Sequence, residues 1–392
     1  MADVVVFGCW ENGYGVIRQF ASIGLDVVGI YSSDEEVWHN SRYLSKKFRC
    51  EDPAKNPNRL LGILADNREH LSGALLIPTN DHYSEILSKN KKQLSKHFVV
   101  LAEDYDVLSR TLDKSKTYSV AESLGIGTPG IYYPNSMDFL EKNRGCFSFP
   151  CLLKPVEGHK FFEKYGFKLF VIGSFSELCE KFADATARGL KMSVHEIVKG
   201  PDTNIRDCII YSDENGKVLF SYVRKKLRQN PPFFGVARVA VTEENAEIAS
   251  LAARMIGAIG YRGLASVEFK FDDLDKKWKL IEINSRFPLA HMVHVKAGVN
   301  IAELVYLHKV KRLRVTPSVQ RSGVYWINFY QDIRNTFFLM SREKISLMDF
   351  ARPYLHEHVF ADLDLNDPLP YALKIQKLIR RTTGKIFRRI GV

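Results

Sequence analysis

The stretch that decides the fold is residues 265–287, which read ASVEFKFDDLDKKWKLIEINSRF. Apolar and polar residues alternate over 266–271 and again over 278–283, and a polar segment at 272–277 separates the two. Alternation with a period of two on both sides of a short polar segment is typical of a β-hairpin. The sequence therefore predicts two strands joined by a loop.

Carboxylate and amide side chains lie on the polar face of this predicted hairpin. Glu268 is on the first strand, and Glu282, Asn284 and Arg286 follow one another at every second position of the second strand. Side chains spaced in this way project from one side of an extended segment. Two carboxylates and an amide oxygen are the hard ligands that Mg²⁺ prefers when it also holds nucleotide phosphates. An adjacent arginine can hold a carboxylate or phosphate with a two-pronged hydrogen bond.

One carboxylate alone would favour a solvated strand face, but E-x-N-x-R with an upstream Glu is much more specific. This combination resembles the metal- and phosphate-binding end of the ATP-grasp ligases, which carry a Glu or Asp on one strand and Glu-x-Asn on the next. The arginine is similar to that of the carboxylase and carboxylate–amine ligase branches. The resemblance implies that Glu268, Glu282 and Asn284 bind Mg²⁺ or Mn²⁺. It also implies that Arg286 is catalytic, holding the substrate carboxylate and stabilising an acyl-phosphate transition state.

The same resemblance implies which cations contact the ATP phosphates. Lys154 lies in FPCLLKP at 149–155, similar to the strand whose lysine contacts the α- and β-phosphates. We favour that role, which also makes Lys154 catalytic. A lysine directly after an apolar strand loses hydration free energy unless its ammonium has a partner. Lys114 resembles a lysine that approaches the phosphates from a helix start, with a solvated first-turn lysine as an even alternative. Arg224 or Lys225 fits a further phosphate contact, with Arg224 selected for the ATP site, although an exposed basic loop is the commoner outcome.

The segment MSVHEIVKGPD at 192–202 resembles the family hinge that contacts adenine. The resemblance implies that Glu196 and the backbone of Ile197 and Val198 hold the adenine edge, and that Asp202 binds the ribose hydroxyls. For Asp202, a plain turn residue after Gly-Pro is the alternative. Residues 156–168 should form the lid over the phosphates, although this segment is less glycine-rich than is usual for the family. The sequence does not choose among its candidate contacts: His159, Lys160, Lys164 and Lys168.

The N-terminal region reads as strand, glycine-containing loop, helix and strand, a Rossmann-like βαβ unit. The spacing of Gly8, Gly13 and Gly15 is not G-x-G-x-x-G, and no Asp or Glu lies at the end of the second strand, at Ile30–Tyr31. Nicotinamide binding is therefore the weaker alternative. Polar residues 79–82 (TNDH) follow the apolar run at 74–78, where parallel sheets bind ligands. A helix N-cap is at least as good an interpretation. By resemblance, this domain contributes to the acceptor-substrate pocket.

Composition and charge limit the class of protein. The chain has 392 residues, 45% hydrophobic and 26% charged, with a formal charge of +11, which favours two or three soluble domains. It has no apolar run of about 18 residues, no signal-peptide pattern, and six cysteines without a CxxC pair, which fits a reducing cytosol. We expect no nucleic-acid partner, because no such module is recognisable. The acid-free segment 371–392 predicts a basic amphipathic helix that binds an anionic membrane surface or lipid-linked precursor, with a helix docked on the protein as the alternative.

These patterns together predict an α/β protein with three parts. A Rossmann-like domain at 1–110 precedes an ATP-grasp domain at 111–315, divided into a lid and hinge part at 125–200 and a metal-binding part at 201–315, and a C-terminal extension at 316–392 ends in the basic helix. The predicted function is an ATP- and magnesium-dependent ligase that joins a carboxylate to an amine, acting on an amino acid or cell-envelope precursor. A non-catalytic ATP sensor and a nicotinamide-dependent oxidoreductase are the alternatives. We expect a cytoplasmic protein, peripheral at the membrane if the basic helix binds there, and a homodimer is open.

Overall fold

The computed structural model describes the chain except residues 54, 157–160, 162–163, 168, 231–234, 335–344 and 391–392, and it describes only the backbone of 381–390. The chain forms two compact units. Unit 1 consists of Met1–Leu124, Pro201–Phe269 and Glu282–Val392, and unit 2 of Gly125–Gly200 and Lys270–Ile281. Helices and strands occur in both units, which confirms the predicted α/β class.

The elements are numbered here in chain order over the described residues. The strands are β1 (Val4–Phe7), β2 (Val27–Tyr31), β3 (Lys46–Arg49), β4 (Leu75–Pro78), β5 (Val99–Val100), β6 (Ile131–Tyr132), β7 (Cys151–Pro155), β8 (Phe170–Ile172), β9 (Met192–Glu196), β10 (Ile205–Ser212), β11 (Val218–Asn230), β12 (Val236–Glu243), β13 (Gly263–Asp272), β14 (Lys277–Asn284), β15 (Tyr325–Ile327) and β16 (His358–Phe360). The helices are α1 (Glu11–Ser22), α2 (Pro57–Asp66), α3 (Arg68–Leu71), α4 (Asp81–Lys89), α5 (Lys91–Leu94), α6 (Tyr105–Leu112), α7 (Lys114–Ser123), α8 (Met137–Lys142), α9 (Phe175–Ala187), α10 (Ala246–Ile259), α11 (Met292–Lys296), α12 (Ile301–Lys309), α13 (Phe329–Arg334), α14 (Leu347–Leu355) and α15 (Pro368–Ile390).

The N-terminal part of unit 1 is a five-stranded parallel sheet with strand order β3-β2-β1-β4-β5. Strands β1 and β4 are buried along their whole length, as expected for parallel strands covered on both faces. Gly8 ends β1 with φ +91°, a conformation that favours glycine. Helix α1 packs close to this turn, since a Cβ on Gly13 would lie 1.8 Å from the Gly8 carbonyl oxygen.

A seven-stranded sheet has the order β14-β13-β10-β11-β12-β15-β16. It contains the hairpin predicted at 266–271 and 278–283, which extends further at both strands and turns through Lys276 at φ 58°. Strand β10 pairs antiparallel with β11, so that Asp207 stands opposite Arg224. The buried positions on this sheet's faces include polar residues as well as apolar ones, which marks it as more than a packing surface.

Unit 2 contains a four-stranded sheet with the order β6-β9-β7-β8. Strands β8 and β9 both pair antiparallel with β7. Helices α8 and α9 contribute to an apolar core that includes Leu140, Leu153, Phe161, Phe182 and Val194. This small core fixes the strand that carries Lys154 and the strand that ends at Glu196.

The C-terminal segment returns to unit 1 and is attached there by buried charges. Asp332 of α13 accepts two hydrogen bonds from Arg228, at 2.9 and 2.7 Å, and one from the Tyr354 hydroxyl at 2.7 Å, and forms an ion pair with Arg238 at 3.1 Å. Lys374 of α15 bonds to Glu11 and Asp362 at 3.2 and 3.0 Å. The beginning of the basic helix is therefore docked on the protein.

The predicted binding of 371–392 to a membrane stays a prediction. In the described part of the chain, no helix has the length and apolar character needed to span a bilayer.

Candidate active site

The two glutamates of the predicted metal group lie on neighbouring strands, Glu268 on β13 and Glu282 on β14. Lys226 of β11 places its Nζ 2.6 Å from Glu268 Oε2, and the two side chains are only 10% and 8% exposed. Sequence reasoning missed this lysine. It lies two positions after Arg224, the residue that we selected, and only the pairing of the strands shows which basic residue of the run reaches the glutamates.

The electrostatics of the two carboxylates differ. Burial raises the pKa of Glu268 above its ordinary value, and the adjacent Lys226 charge only partly offsets this. Burial also acts to raise the pKa of Glu282, but the charges of Lys114 and Lys226 outweigh it and hold that pKa below the usual range. Lys114, at the first position of α7, contributes to this lowering. Its contact with the ATP phosphates stays a prediction.

Asn284 and Arg286 continue the same cluster. The Asn284 amide donates to Glu282 Oε1 at 3.1 Å, and its Oδ1 accepts a hydrogen bond from Arg286 Nη2 at 3.0 Å. Arg286 Nε donates to Asp81 Oδ1 at 2.9 Å, which sequence reasoning did not foresee. The structure therefore brings Glu282, Asn284 and Arg286 into one hydrogen-bonded chain.

The donor set fits a magnesium ion that also contacts phosphate. Within the described residues, no group of three or more His, Cys, Asp or Glu side chains is placed to hold a metal by itself. Mg²⁺ needs only one or two carboxylates when substrate phosphates and water complete its shell. Glu268 and Glu282 would supply these, and the Lys226 ammonium already lies 2.6 Å from Glu268 Oε2. Asn284 would supply the amide oxygen.

Arg224 has a different set of partners. It is 2% exposed, and its Nη2 donates to Asp207 at 2.7 Å. Its Nη1 lies 3.4 Å from His294 Nε2, and His294 Nδ1 lies 2.6 Å from Gln320 Oε1. Burial lowers the pKa of His294, so the ring is neutral, with Nδ1–H donating to Gln320. The contact of Arg224 with ATP stays a prediction. Of these two basic residues, Lys226 is the one that contacts Glu268 of the predicted metal group.

Asp202 is buried rather than an exposed turn residue. It begins a 3₁₀ helix, Asp202–Asn204, and its Oδ1 accepts a hydrogen bond from Gln229 Nε2 at 2.8 Å. Gln229 belongs to β11, the strand that carries Lys226. The role of Asp202 toward ribose stays a prediction.

Unit 2 contains the other residues predicted to bind ATP. Lys154 lies near the end of β7 and is half-buried, and Val198 is buried just beyond β9, next to Ile197. Glu196 accepts hydrogen bonds from Gly130 N at 2.8 Å and from Lys279 Nζ at 3.2 Å. Lys279 also pairs with Asp272 at 2.6 Å, so the Glu196 carboxylate is held in a polar network.

The proposed lid is described only in part. His159, Lys160 and Lys168 lie outside the described residues. Lys164 donates its Nζ to the Arg188 carbonyl oxygen. Phe161 is fully buried among Tyr165, Phe167 and Phe170, which explains the bulky residues of this segment.

A carboxylate of the protein itself, that of Glu36, binds the backbone N–H group of the loop after β1. Glu36 accepts hydrogen bonds from Cys9 N at 2.6 Å, Ser32 N at 2.8 Å and Ser33 N at 3.0 Å, and it is fully buried. In dinucleotide-binding loops such N–H groups bind phosphate. Thr79 and Asn80 are structural, because the Thr79 hydroxyl donates to Phe7 O and Asn80 caps α4.

Comparisons with known proteins agree with this geometry. The model of the carbamoyl-phosphate synthase L chain ATP-binding domain matches residues 236–308, which include the whole hairpin. The chain is 26% identical over 324 residues to D-aspartate ligase of Enterococcus faecium (strain Aus0004), covering 77% of this chain and 75% of that protein.

Among solved structures, L-amino acid ligase from Bacillus licheniformis matches with a TM-score of 0.59 and 17% identity, covering 81% of this chain and 75% of that one. Biotin carboxylase from Campylobacter jejuni matches with a TM-score of 0.62 and 16% identity, covering 84% and 74%. The resemblance to the ATP-grasp ligases that the sequence indicated is therefore confirmed by a family model over residues 236–308, by a D-aspartate ligase relative and by the folds of solved ligases and carboxylases.

Proposed function

We propose that this chain is an ATP- and Mg²⁺-dependent carboxylate–amine ligase that works through an acyl phosphate. The observation that carries the proposal is the continuous group formed by Glu282, Asn284 and Arg286, next to the buried pair of Glu268 and Lys226. This group joins a metal-type oxygen set to a guanidinium suited to a carboxylate. A ligase that activates a carboxylate with ATP needs both functions side by side.

The residues have distinct roles in this scheme. A carboxylate oxygen of the substrate attacks the γ-phosphorus of ATP, the bond to the β-phosphate oxygen breaks, and ADP leaves. The amine then attacks the acyl carbon, inorganic phosphate leaves, and the amine loses a proton. Arg286 would hold the carboxylate and stabilise the charge that develops as the acyl phosphate forms. Lys226, Lys154 and Lys114 would offset phosphate charge.

Glu268, Glu282 and Asn284 would hold Mg²⁺, which when bound neutralises and orients the β- and γ-phosphates. Catalysis of this kind depends on positioning and charge more than on a covalent nucleophile. The proposed site needs no catalytic triad.

The relatives support an amino acid as one substrate, because one is named a D-aspartate ligase and another an L-amino acid ligase. A cell-envelope precursor as the other substrate rests on the basic C-terminal helix and on the D-aspartate ligase similarity. Liposome binding by the full chain and by a chain ending at residue 378 tests the membrane part of this proposal. Equal binding would remove it.

The two alternatives have less support. In a nicotinamide oxidoreductase the loop after Gly8 would bind pyrophosphate, but the Cys9 N–H already donates to Glu36. A non-catalytic ATP sensor would not need Arg286 beside the metal group.

The test is ADP release with ATP and Mg²⁺ across pooled amino acids and envelope precursors, with Glu282→Gln beside the wild type. Glu303→Gln is the matched control, because Glu303 is an exposed glutamate of α12 in the same unit. We expect substrate-dependent ADP release that is lost in Glu282→Gln and kept in Glu303→Gln. Tight ATP binding with no ADP release for any acceptor would instead favour the sensor, and equal ADP release by both variants would refute the metal assignment.

A further inference from the structure

The contact between Arg286 and Asp81 joins two distant parts of the chain. Asp81 is the first residue of α4, directly after the parallel strand β4, and Arg286 follows β14. Arg286 Nε donates to Asp81 Oδ1 at 2.9 Å, and the two side chains are 20% and 54% exposed. Exposed ion pairs of this kind contribute little to stability, so stability does not account for the arrangement.

A second contact holds the same two segments together. The Asn12 side-chain amide donates to Thr79 O and to Phe287 O, both at 2.8 Å. Within the described residues its Oδ1 is buried without a hydrogen-bond partner, which is an unfavourable state for an amide oxygen. The segment after β4 and the segment after β14 are thus linked at two points, directly by Asp81–Arg286 and through Asn12, which bridges Thr79 and Phe287.

This geometry fixes which edge of the Arg286 guanidinium is available. The group has five N–H donors. In the described part of the chain, Nε donates to Asp81, Nη2 to Asn284 Oδ1, and Nη1 to Phe287 O at 3.4 Å. Each Nη therefore retains one further N–H, and two parallel N–H groups are what a carboxylate needs for a bidentate hydrogen bond.

We propose that Asp81 is a positioning residue of the ligase, which holds Arg286 by its Nε edge so that its Nη edge binds the substrate carboxylate. The inference rests on the proposed function, which supplies the carboxylate. Without the Asp81 charge, Arg286 loses its fixed orientation between Asn284 and α4. Misplacement of a group that binds the reacting atoms by about 1 Å lowers the rate on the order of 100-fold.

Asp81→Asn removes the charge, Asp81→Glu keeps it on a longer side chain, and Asp106→Asn is the matched control on the exposed first turn of α6. The first measurement is kcat and KM with the substrates that the ADP-release screen identifies. We expect kcat of Asp81→Asn to fall on the order of 100-fold with a smaller change in KM, partial recovery in Asp81→Glu, and wild-type kinetics in Asp106→Asn. A purely structural role would not give recovery by the charged variant.

The second measurement is the rate of phenylglyoxal labelling of Arg286, followed by mass spectrometry of its peptide. We expect faster labelling in Asp81→Asn than in the wild type and the control, because the guanidinium is released. Unchanged labelling overturns the inference, and so does faster labelling with unchanged kcat. If the wild type releases no ADP with any substrate, the proposed function fails, while the labelling rate still decides whether Asp81 holds Arg286.

Discussion

Replacement of Lys226 by Met tests the charge balance of the metal group. The variant removes a cation 2.6 Å from Glu268 Oε2. At an effective dielectric constant of about 20, that distance corresponds to a gross attraction of about 6 kcal/mol. Breaking one partner of a buried ion pair typically costs about 3–5 kcal/mol. We therefore expect Lys226→Met to lose about 3–5 kcal/mol of unfolding free energy at neutral pH without metal.

The pH dependence of this loss has a definite sign. Burial already raises the folded pKa of Glu268, and removal of Lys226 raises it further above the unfolded value of about 4.3. The folded variant then binds more protons than the unfolded chain, so its stability falls as the pH rises through the folded pKa. The deficit of Lys226→Met relative to the wild type should shrink toward pH 4.

Urea unfolding with EDTA and with MgCl₂ is the assay, and Lys116→Met, an exposed lysine of α7, is the matched control. If Lys226 substitutes for the metal charge, Mg²⁺ should stabilise Lys226→Met more than the wild type. A loss no larger than that of Lys116→Met, or an equal effect of Mg²⁺ on both proteins, would refute the reasoning.

Three further perturbations test other parts of the structure. Burial lowers the pKa of His291 to about 3. Below pH 6.5 the unfolded chain therefore binds a proton on this ring that the folded chain does not, and the unfolding free energy falls by up to about 1.4 kcal/mol for each unit that the pH is lowered. His291→Gln should flatten the plot of unfolding free energy against pH between 4 and 6.5, and an unchanged slope would contradict this. Asp332→Asn leaves two buried arginines without their shared carboxylate and should cost about 3–5 kcal/mol in urea unfolding, whereas a cost below about 1 kcal/mol would show that water reaches them. Lys374→Met removes the ammonium that lies 4.9 Å from the Trp38 ring and 4.8 Å from the Tyr330 ring. Limited proteolysis with chymotrypsin should cut α15 of this variant faster than α15 of the wild type, and equal cleavage would be the opposing result.

The hairpin could be predicted from sequence because its signal is local. A period of two places Glu282, Asn284 and Arg286 on one side of a strand whatever the rest of the fold does. In the structure the three side chains form a hydrogen-bonded chain through the Asn284 amide. The strand bounds were too short, since β13 begins at Gly263 and both faces of it are largely buried. Alternation therefore identified the strand but underestimated how much of it the sheet covers.

The partners of these residues could not be predicted, because they come from distant parts of the chain. Arg224 and Lys226 are two basic residues of β11, and the pairing of the strands decides which acidic residue each one contacts. The pairing sets Arg224 opposite Asp207 and leaves Lys226 to contact Glu268. Asp81 is 205 positions from Arg286. In the sequence it is a helix-start acid like many others, and only the fold distinguishes it from Asn80, which is the true cap.

The last strands of the chain protect a sheet edge. Without β15 and β16, β12 would be the edge strand of this sheet, with unpaired backbone groups along Val236–Glu243. Instead, β15 pairs with β12 and β16 pairs with β15. Both added strands are only three residues long, and very short outer strands give another chain little to pair with. The C-terminal segment therefore covers the edge of β12, which should reduce aggregation through that strand. A chain shortened before Tyr325 would expose β12 and should self-associate through it.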